Sequence, residues 1–202
     1  MTASYDGYVR FFDHAQKLVH CSSLHSAPIT SFCSVPSIGA GATESETYTI
    51  ATASHDLTAQ LTRISLSSDE PETAVPLATC HLHTAPVSSV CSDHSGTRLL
   101  TSSWDGLIGL WDTSVPPRDE VPPEQSDAAE RKKRRKVDQD HNRPKRKAPL
   151  SVLKSHTARV SKVTFGQGQN NATTAYSCGF DSTIRTWDVE NEICTNTIVR
   201  RQ

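Results

Sequence analysis

Hydroxyl, imidazole and carboxylate side chains, the three types that form a nucleophilic catalytic triad, recur together in this sequence. In the set His156, Ser177 and Asp181, the imidazole could activate the hydroxyl for acyl transfer while the carboxylate orients it. An earlier set has the same order, with Thr in place of Ser: His83, Thr101 and Asp105. A triad occurs once in an enzyme, whereas this set recurs, so we interpret it as structural and expect no enzyme. The sequence has no Gly-x-Ser-x-Gly motif, phosphate-binding Gly-rich loop or His-Glu-x-x-His motif, so no catalytic residue and no cofactor is predicted.

The carboxylates of these sets belong to a short phrase that occurs four times and ends at Asp6, Asp56, Asp105 and Asp181. The interval between Asp105 and Asp181 contains an insertion. Without it, the spacing of successive aspartates is close to the roughly 40 to 45 residues of a propeller blade. Histidines keep the same register, and each has apolar residues four and seven places further on: His25, His83 and His156. This periodicity predicts a repeat protein.

Short segments rich in Val, Thr, Ser and aromatic residues lie between these markers and predict β-strands at 87–91, 98–103, 107–111 and 159–165. The pair Asp105-Gly106 favours a two-residue hairpin turn, because both of its central residues need a positive φ. The segments do not alternate cleanly between apolar and polar residues, which is typical of sheets packed on both faces. The predicted fold class is therefore all-β, with sheets stacked as the blades of a β-propeller.

At this point the chain resembles the WD-repeat family. The residues that carry the resemblance are His83, Thr101, Asp105 and Trp111 in one blade, and His156, Ser177, Asp181 and Trp187 in the next. The resemblance implies a buried network in which Asp accepts from His, and the hydroxyl joins His to the Trp indole. Phe12 and Thr62 stand where the family has Trp, and Arg63 replaces the closing Asp. We therefore expect incomplete networks in the first two blades.

The cysteines predict neither a metal site nor a disulfide framework. None of the six forms a Cys-x-x-Cys pair, so no zinc site is predicted: Cys21, Cys33, Cys80, Cys91, Cys178 and Cys194. Several lie inside predicted strands, where free Cys behaves as a small buried hydrophobe. The sequence shows no leader-type start and no apolar run of about 18 residues. We expect reduced thiols in an intracellular compartment and no membrane association.

A basic stretch accounts for the longer last interval, although the formal net charge of the chain is only −1. Its two clusters are Arg131, Lys132, Lys133, Arg134, Arg135 and Lys136, and then Arg143, Lys145, Arg146 and Lys147. A polar, Pro-rich run precedes them, and we interpret 113–148 as a disordered loop between the third and fourth strands of a blade, at the propeller rim. We favour a nuclear-localisation signal bound by an acidic import receptor. Contact with nucleic acid, rRNA included, is compatible with it, and a merely solvated charge run is the third interpretation.

The order of these features narrows the resemblance to the eukaryotic ribosome-biogenesis WD-repeat proteins of the PeBoW complex. A blade ending in Ser-Tyr-Asp-Gly, a blade without Trp, and a Ser-Trp-Asp blade with a basic insertion follow one another. The resemblance implies a non-catalytic scaffold for large-subunit maturation and rRNA processing, located in the nucleolus and nucleoplasm. The implied partners are Pescadillo, the block-of-proliferation protein and the pre-ribosomal particle. Family members also carry a ubiquitin-like domain that engages the ATPase Midasin, and its absence here makes that contact doubtful. The alternative is a nuclear chromatin- or RNA-associated adaptor whose basic loop binds nucleic acid.

The repeat divides the chain into four units. These are the outer strands of an incomplete blade at 1–22, a blade at 23–82, a blade at 83–154 that carries the insertion, and a blade at 155–202. A closed propeller needs at least about four blades, so about three and a half blades of an expected seven indicate a fragment.

Overall fold

The computed structural model describes residues 1–36, 47–65, 73–120, 144–166 and 173–199. Over these ranges the regular structure consists of sixteen β-strands. They include no helix, and hence none of the length and apolar character that crossing a membrane requires.

Most strands form four consecutive antiparallel meanders. The first sheet contains β1 (Thr2–Ala3), β2 (Tyr8–Phe12) and β3 (Leu18–Ser23). The second contains β4 (Ile29–Val35), β5 (Thr47–Ser54), β6 (Ala59–Ser65) and β7 (Thr73–Cys80). The third contains β8 (Val87–Ser92), β9 (Arg98–Ser103), β10 (Leu107–Asp112) and β12 (Ser151–Lys154). The fourth contains β13 (Val160–Phe165), β14 (Thr174–Gly179), β15 (Thr183–Asp188) and β16 (Ile193–Val199). The predicted all-β class, a partial β-propeller, is confirmed.

The repeated phrase forms the turn between the second and third strands of each sheet. The residue after the turn Asp has a positive φ in all four copies: Gly7 at 80°, Leu57 at 73°, Gly106 at 84° and Ser182 at 60°. Gly adopts this conformation without strain, whereas Leu and Ser do so less readily. The turn geometry is therefore kept even where Gly is absent.

Apolar side chains are buried in three clusters between neighbouring sheets. Val9 packs with Ile29, Ile50 and Ile64 between the first and second sheets. The other two junctions are filled by larger clusters, around Leu61, Val87, Leu99 and Trp111 and around Leu100, Ile108, Val160 and Trp187. Because each sheet is covered by its neighbour, burial of these side chains supplies most of the stabilisation between blades.

Hydroxyl groups also join consecutive sheets directly. Thr30 Oγ1 in β4 donates to the carbonyl of Val87 in β8 over 2.6 Å. Ser88 Oγ in β8 donates in the same way to the carbonyl of Val160 in β13 over 2.7 Å. Both donors lie five residues after the repeat histidine, His25 or His83. The contact is thus a feature of the repeat.

Two expectations about strand content need correction. The first sheet contains the short β1 in addition to the predicted outer strands. The second sheet has a fifth strand, β11 (Lys145–Lys147), which pairs in parallel with β7. Since β11 and its neighbours 113–120 and 144–148 are part of the fold, the prediction of a disordered loop over 113–148 is wrong for these residues. Residues 121–143 lie outside the described ranges.

Candidate functional site: the blade network and the basic strand

The third sheet contains a buried chain of hydrogen bonds built from four predicted residues. Trp111 Nε1 donates to Thr101 Oγ1 over 2.9 Å, and Thr101 Oγ1 lies 2.8 Å from His83 Nε2. His83 Nδ1 lies 3.1 Å from Asp105 Oδ2. The indole can only donate, so the arrangement is satisfied when the hydroxyl donates to Nε2 and the imidazole donates from Nδ1 to the carboxylate. This chain joins β9, β10 and the turn before β8.

The fourth sheet repeats the arrangement with Ser in place of Thr. Trp187 Nε1 donates to Ser177 Oγ over 2.8 Å, and Ser177 Oγ lies 2.7 Å from His156 Nε2. His156 Nδ1 lies 2.8 Å from Asp181 Oδ2. The structure therefore brings the predicted residues together in two separate sheets with matching geometry.

In the second sheet the network lacks its Trp member. His25 Nδ1 lies 2.7 Å from Asp56 Oδ2, and His25 Nε2 lies 2.8 Å from Thr52 Oγ1. Thr62 occupies the Trp position, and its buried hydroxyl has no hydrogen-bond partner. In the first sheet the turn carboxylate of Asp6 pairs with Arg10 at 2.5 Å. The first two blades thus hold incomplete networks.

The carboxylates of the complete networks are held in the charged form. Burial raises the pKa of Asp105, but hydrogen bonds from His83 and from the Leu107 N–H outweigh it and lower the pKa below its ordinary value. In the fourth sheet burial also opposes ionisation, whereas donation by Thr183, His156 and backbone N–H groups lowers the pKa of Asp181 to about 2. Each carboxylate therefore acts as a fixed acceptor at neutral pH.

The geometry indicates a structural role for the hydroxyl groups of the two complete networks. Thr101 is 0% exposed and Ser177 is 2% exposed, and each accepts from a Trp and contacts a His. A nucleophile has to reach its substrate, and these oxygens are enclosed on all sides. The described part of the chain also contains no group of three or more His, Cys, Asp or Glu side chains able to hold a metal ion.

The thiols of three buried or half-buried cysteines are poorly ionised. Burial raises the pKa of Cys33 to about 12, of Cys80 to about 12 and of Cys91 to about 11. Because the thiolate is the nucleophilic and metal-binding form, these cysteines are inert packing residues at neutral pH.

An aromatic row lies at the blade turns, one position before each turn Asp: Tyr5, His55, Trp104 and Phe180. The rings of His55 and Trp104 meet edge to face with centroids 5.1 Å apart, across the junction of the second and third sheets. Arg159, from the fourth sheet, lies over the Trp104 ring at 4.6 Å. Tyr5 and Phe180 are 79% and 71% exposed. Sequence reasoning missed Arg159, which stands where the two preceding repeats have Pro28 and Pro86.

The predicted basic residues fall into two groups. Residues 131–136 and Arg143 lie outside the described ranges, and the other three form β11. Arg146 is exposed and Lys145 half-buried, whereas Lys147 is only 1% exposed. The ammonium group of Lys147 contacts the Asp112 carboxylate and the Ser114 carbonyl. Lys147 is thus part of the packing rather than of a free basic surface.

Comparison with known proteins agrees with the repeat geometry. Residues 74–112 and 147–188 match the family WD domain, G-beta repeat. A ribosome biogenesis protein YTM1 from Laccaria bicolor is 52% identical over 203 residues, covering 98% of this chain and 44% of the relative. The protein of the same name from Saccharomyces cerevisiae S288c is 34% identical over 213 residues, covering 98% of this chain and 45% of the relative. The chain thus spans less than half the length of these relatives. It belongs to the WD-repeat family and is similar, over nearly its whole length, to part of the ribosome biogenesis proteins named YTM1.

Proposed function

We propose that this chain is part of a non-catalytic WD-repeat scaffold that acts in maturation of the large ribosomal subunit. The observation that carries the proposal is the similarity to ribosome biogenesis proteins over 98% of the chain. The geometry supports a scaffold, because the hydroxyl, imidazole and carboxylate groups that could do chemistry hold strands together. On this proposal the chain acts through its surface, by binding other molecules.

Docking of protein partners is assigned to the aromatic row. Exposed Tyr5 and Phe180 and the stacked pair of Trp104 and Arg159 are of the residue types that dominate binding energy at protein interfaces. The partners on this proposal are Pescadillo and the block-of-proliferation protein, within a pre-ribosomal particle. A row that spans four sheets suits a partner that docks across several blades.

When the protein is depleted from the cells that produce it, precursors of the large-subunit rRNA are expected to accumulate and the level of free large subunits to fall. Small subunits are expected to stay at their normal level. Northern analysis of rRNA precursors with gradient sedimentation of subunits measures both. Re-expression of the intact protein is the control and restores the normal pattern. Normal processing of large-subunit rRNA after depletion would contradict the proposal.

The location on this proposal is the nucleus, with the nucleolus and nucleoplasm as its compartments. Because Lys147 is buried, the cluster 131–136 is the better candidate for direct contact with an import receptor. Dense positive charge on one short segment complements an acidic receptor groove.

Replacing Lys132, Lys133 and Arg134 with Gln is expected to move a fusion with a large reporter from the nucleus to the cytoplasm, because the charge that the receptor recognises is lost. Fluorescence microscopy of the nuclear-to-cytoplasmic ratio measures the change. A matched control replaces three exposed lysines of the sheets: Lys17, Lys154 and Lys162. Equal nuclear accumulation of both variants would exclude the import role, and loss in both would show that net charge alone decides.

A further inference from the structure

The strand β11 links a basic cluster to a neighbouring blade. Although it lies within the insertion of the third sheet, it pairs with β7 of the second, with Lys145 opposite Ala78 and Lys147 opposite Cys80. The Lys147 carbonyl accepts from the N–H of His81 over 3.3 Å. Three of the four basic residues of the second cluster therefore lie in an edge strand of a sheet.

The chain's own acidic residues cover this strand. We call residues 112–120, which begin at the last residue of β10, the acidic arm. Asp112 neutralises the buried ammonium of Lys147. Asp119 Oδ1 accepts from the Arg146 N–H over 2.9 Å, and Glu120 Oε2 accepts from the Ala148 N–H over 2.9 Å. Three carboxylates thus bond to the three consecutive residues 146–148.

Backbone groups of β11 are occupied as well. The Arg146 carbonyl accepts from the Glu120 N–H over 2.9 Å, so both polar groups of the Arg146 backbone are bonded to the acidic arm. A partner that binds an extended basic peptide needs its backbone groups and charged side chains together. In this closed arrangement the Arg146 side chain and part of Lys145 are accessible to a partner. The Lys147 ammonium and the Arg146 backbone are not.

We propose that the acidic arm is an autoinhibitory segment, which occupies Lys145–Lys147 in place of an acidic protein partner, and that these residues bind such a partner only after β11 leaves β7. The inference rests on the proposed function in one respect, that the basic cluster is a recognition element. Apparent affinity for an acidic partner is reduced by the fraction of molecules in which β11 is open.

The test opens β11 from two independent positions in the intact chain, with Asp112→Asn and Asp119→Ala. Residues 131–136 are replaced by Gln throughout, so that the second cluster alone is measured. Asp188→Asn is the matched control, because Asp188 follows Trp187 as Asp112 follows Trp111 and does not touch β11. Hydrogen exchange reports the opening of 145–147, and fluorescence anisotropy reports binding of a labelled polyglutamate peptide. Circular dichroism checks that each variant is folded.

Both opening variants are expected to exchange the amides of 145–147 about tenfold faster and to bind polyglutamate about tenfold more tightly, while the control is unchanged. Faster exchange with unchanged affinity would overturn the proposal and make β11 purely structural. Unchanged exchange in both variants would also overturn it, since the arm would not hold the strand. If Asp112→Asn unfolds the chain, Asp119→Ala decides alone, because Asp119 bonds to β11 at an exposed position. The probe is a synthetic peptide, so failure here is separate from failure of nuclear import or rRNA processing.

Discussion

Replacing Thr101 with Val is expected to lower the free energy of unfolding by about 3 kcal/mol, because each buried polar group left without a partner costs about 1–3 kcal/mol. Val has nearly the shape of Thr, so packing in the third sheet is kept. The lost hydroxyl leaves two groups unsatisfied, the indole N–H of Trp111 and Nε2 of His83. Urea unfolding followed by Trp fluorescence measures the loss, and Thr101→Ser, which keeps the hydroxyl, is expected to recover most of it.

The second sheet offers a matched comparison for this prediction. Thr52 is also fully buried and contacts His25, but Thr62 stands where the Trp would be. Thr52→Val therefore removes the partner of one side chain instead of two, with an expected loss of about 1–2 kcal/mol. Equal losses for the two Thr→Val variants would show that the indole contributes nothing to the network.

Replacing Gly96 with Ala is expected to destabilise the chain by about 3 kcal/mol or more, since overpacking costs about 1–3 kcal/mol and a left-handed backbone about 1–2 kcal/mol. Gly96 has φ +71°, and a Cβ there would lie 1.9 Å from the carbonyl oxygen of Pro36. Pro36 follows β4 in the neighbouring sheet, and the atom in the way belongs to the backbone. The two sheets would have to separate to admit one methyl group.

Gly106→Ala separates the steric contribution from the conformational one. Gly106 has a similar φ of +84°, but the nearest atoms to its Cβ position lie 3.4 Å away. Only the cost of the left-handed backbone then applies, and the free energy of unfolding is expected to fall by about 1–2 kcal/mol. Thermal unfolding of both variants measures the difference, and equal shifts in Tm would contradict a clash with Pro36.

The fold and the networks could be predicted because their signals repeat. The turn phrase and the histidines recur at fixed offsets, and a network has to use the same residue types in each blade. The missing Trp at Thr62 was equally visible in the sequence, and the structure adds that this hydroxyl is buried without a partner.

Contacts between different parts of the chain were harder to predict. Thr30 and Ser88 are ordinary strand residues, and only their shared offset from a histidine could have indicated the bonds between sheets. Composition predicted that 145–147 belong to a disordered basic loop, because Asp112 and the other residues of the acidic arm that contact them lie far away in sequence. Pairing of opposite charges across an insertion leaves no local pattern.

The position of β11 also bears on how the repeats unfold. A repeat protein behaves approximately as a line of units, whose stability is a sum of terms for each unit and for each junction between neighbours. At the junction of the second and third sheets, apolar packing and the Thr30 hydrogen bond are supplemented by β11, a strand from the insertion of the third blade that joins the second sheet. Within the described residues, the junction of the third and fourth sheets has no such strand. We therefore expect the second and third sheets to open together, as one cooperative unit.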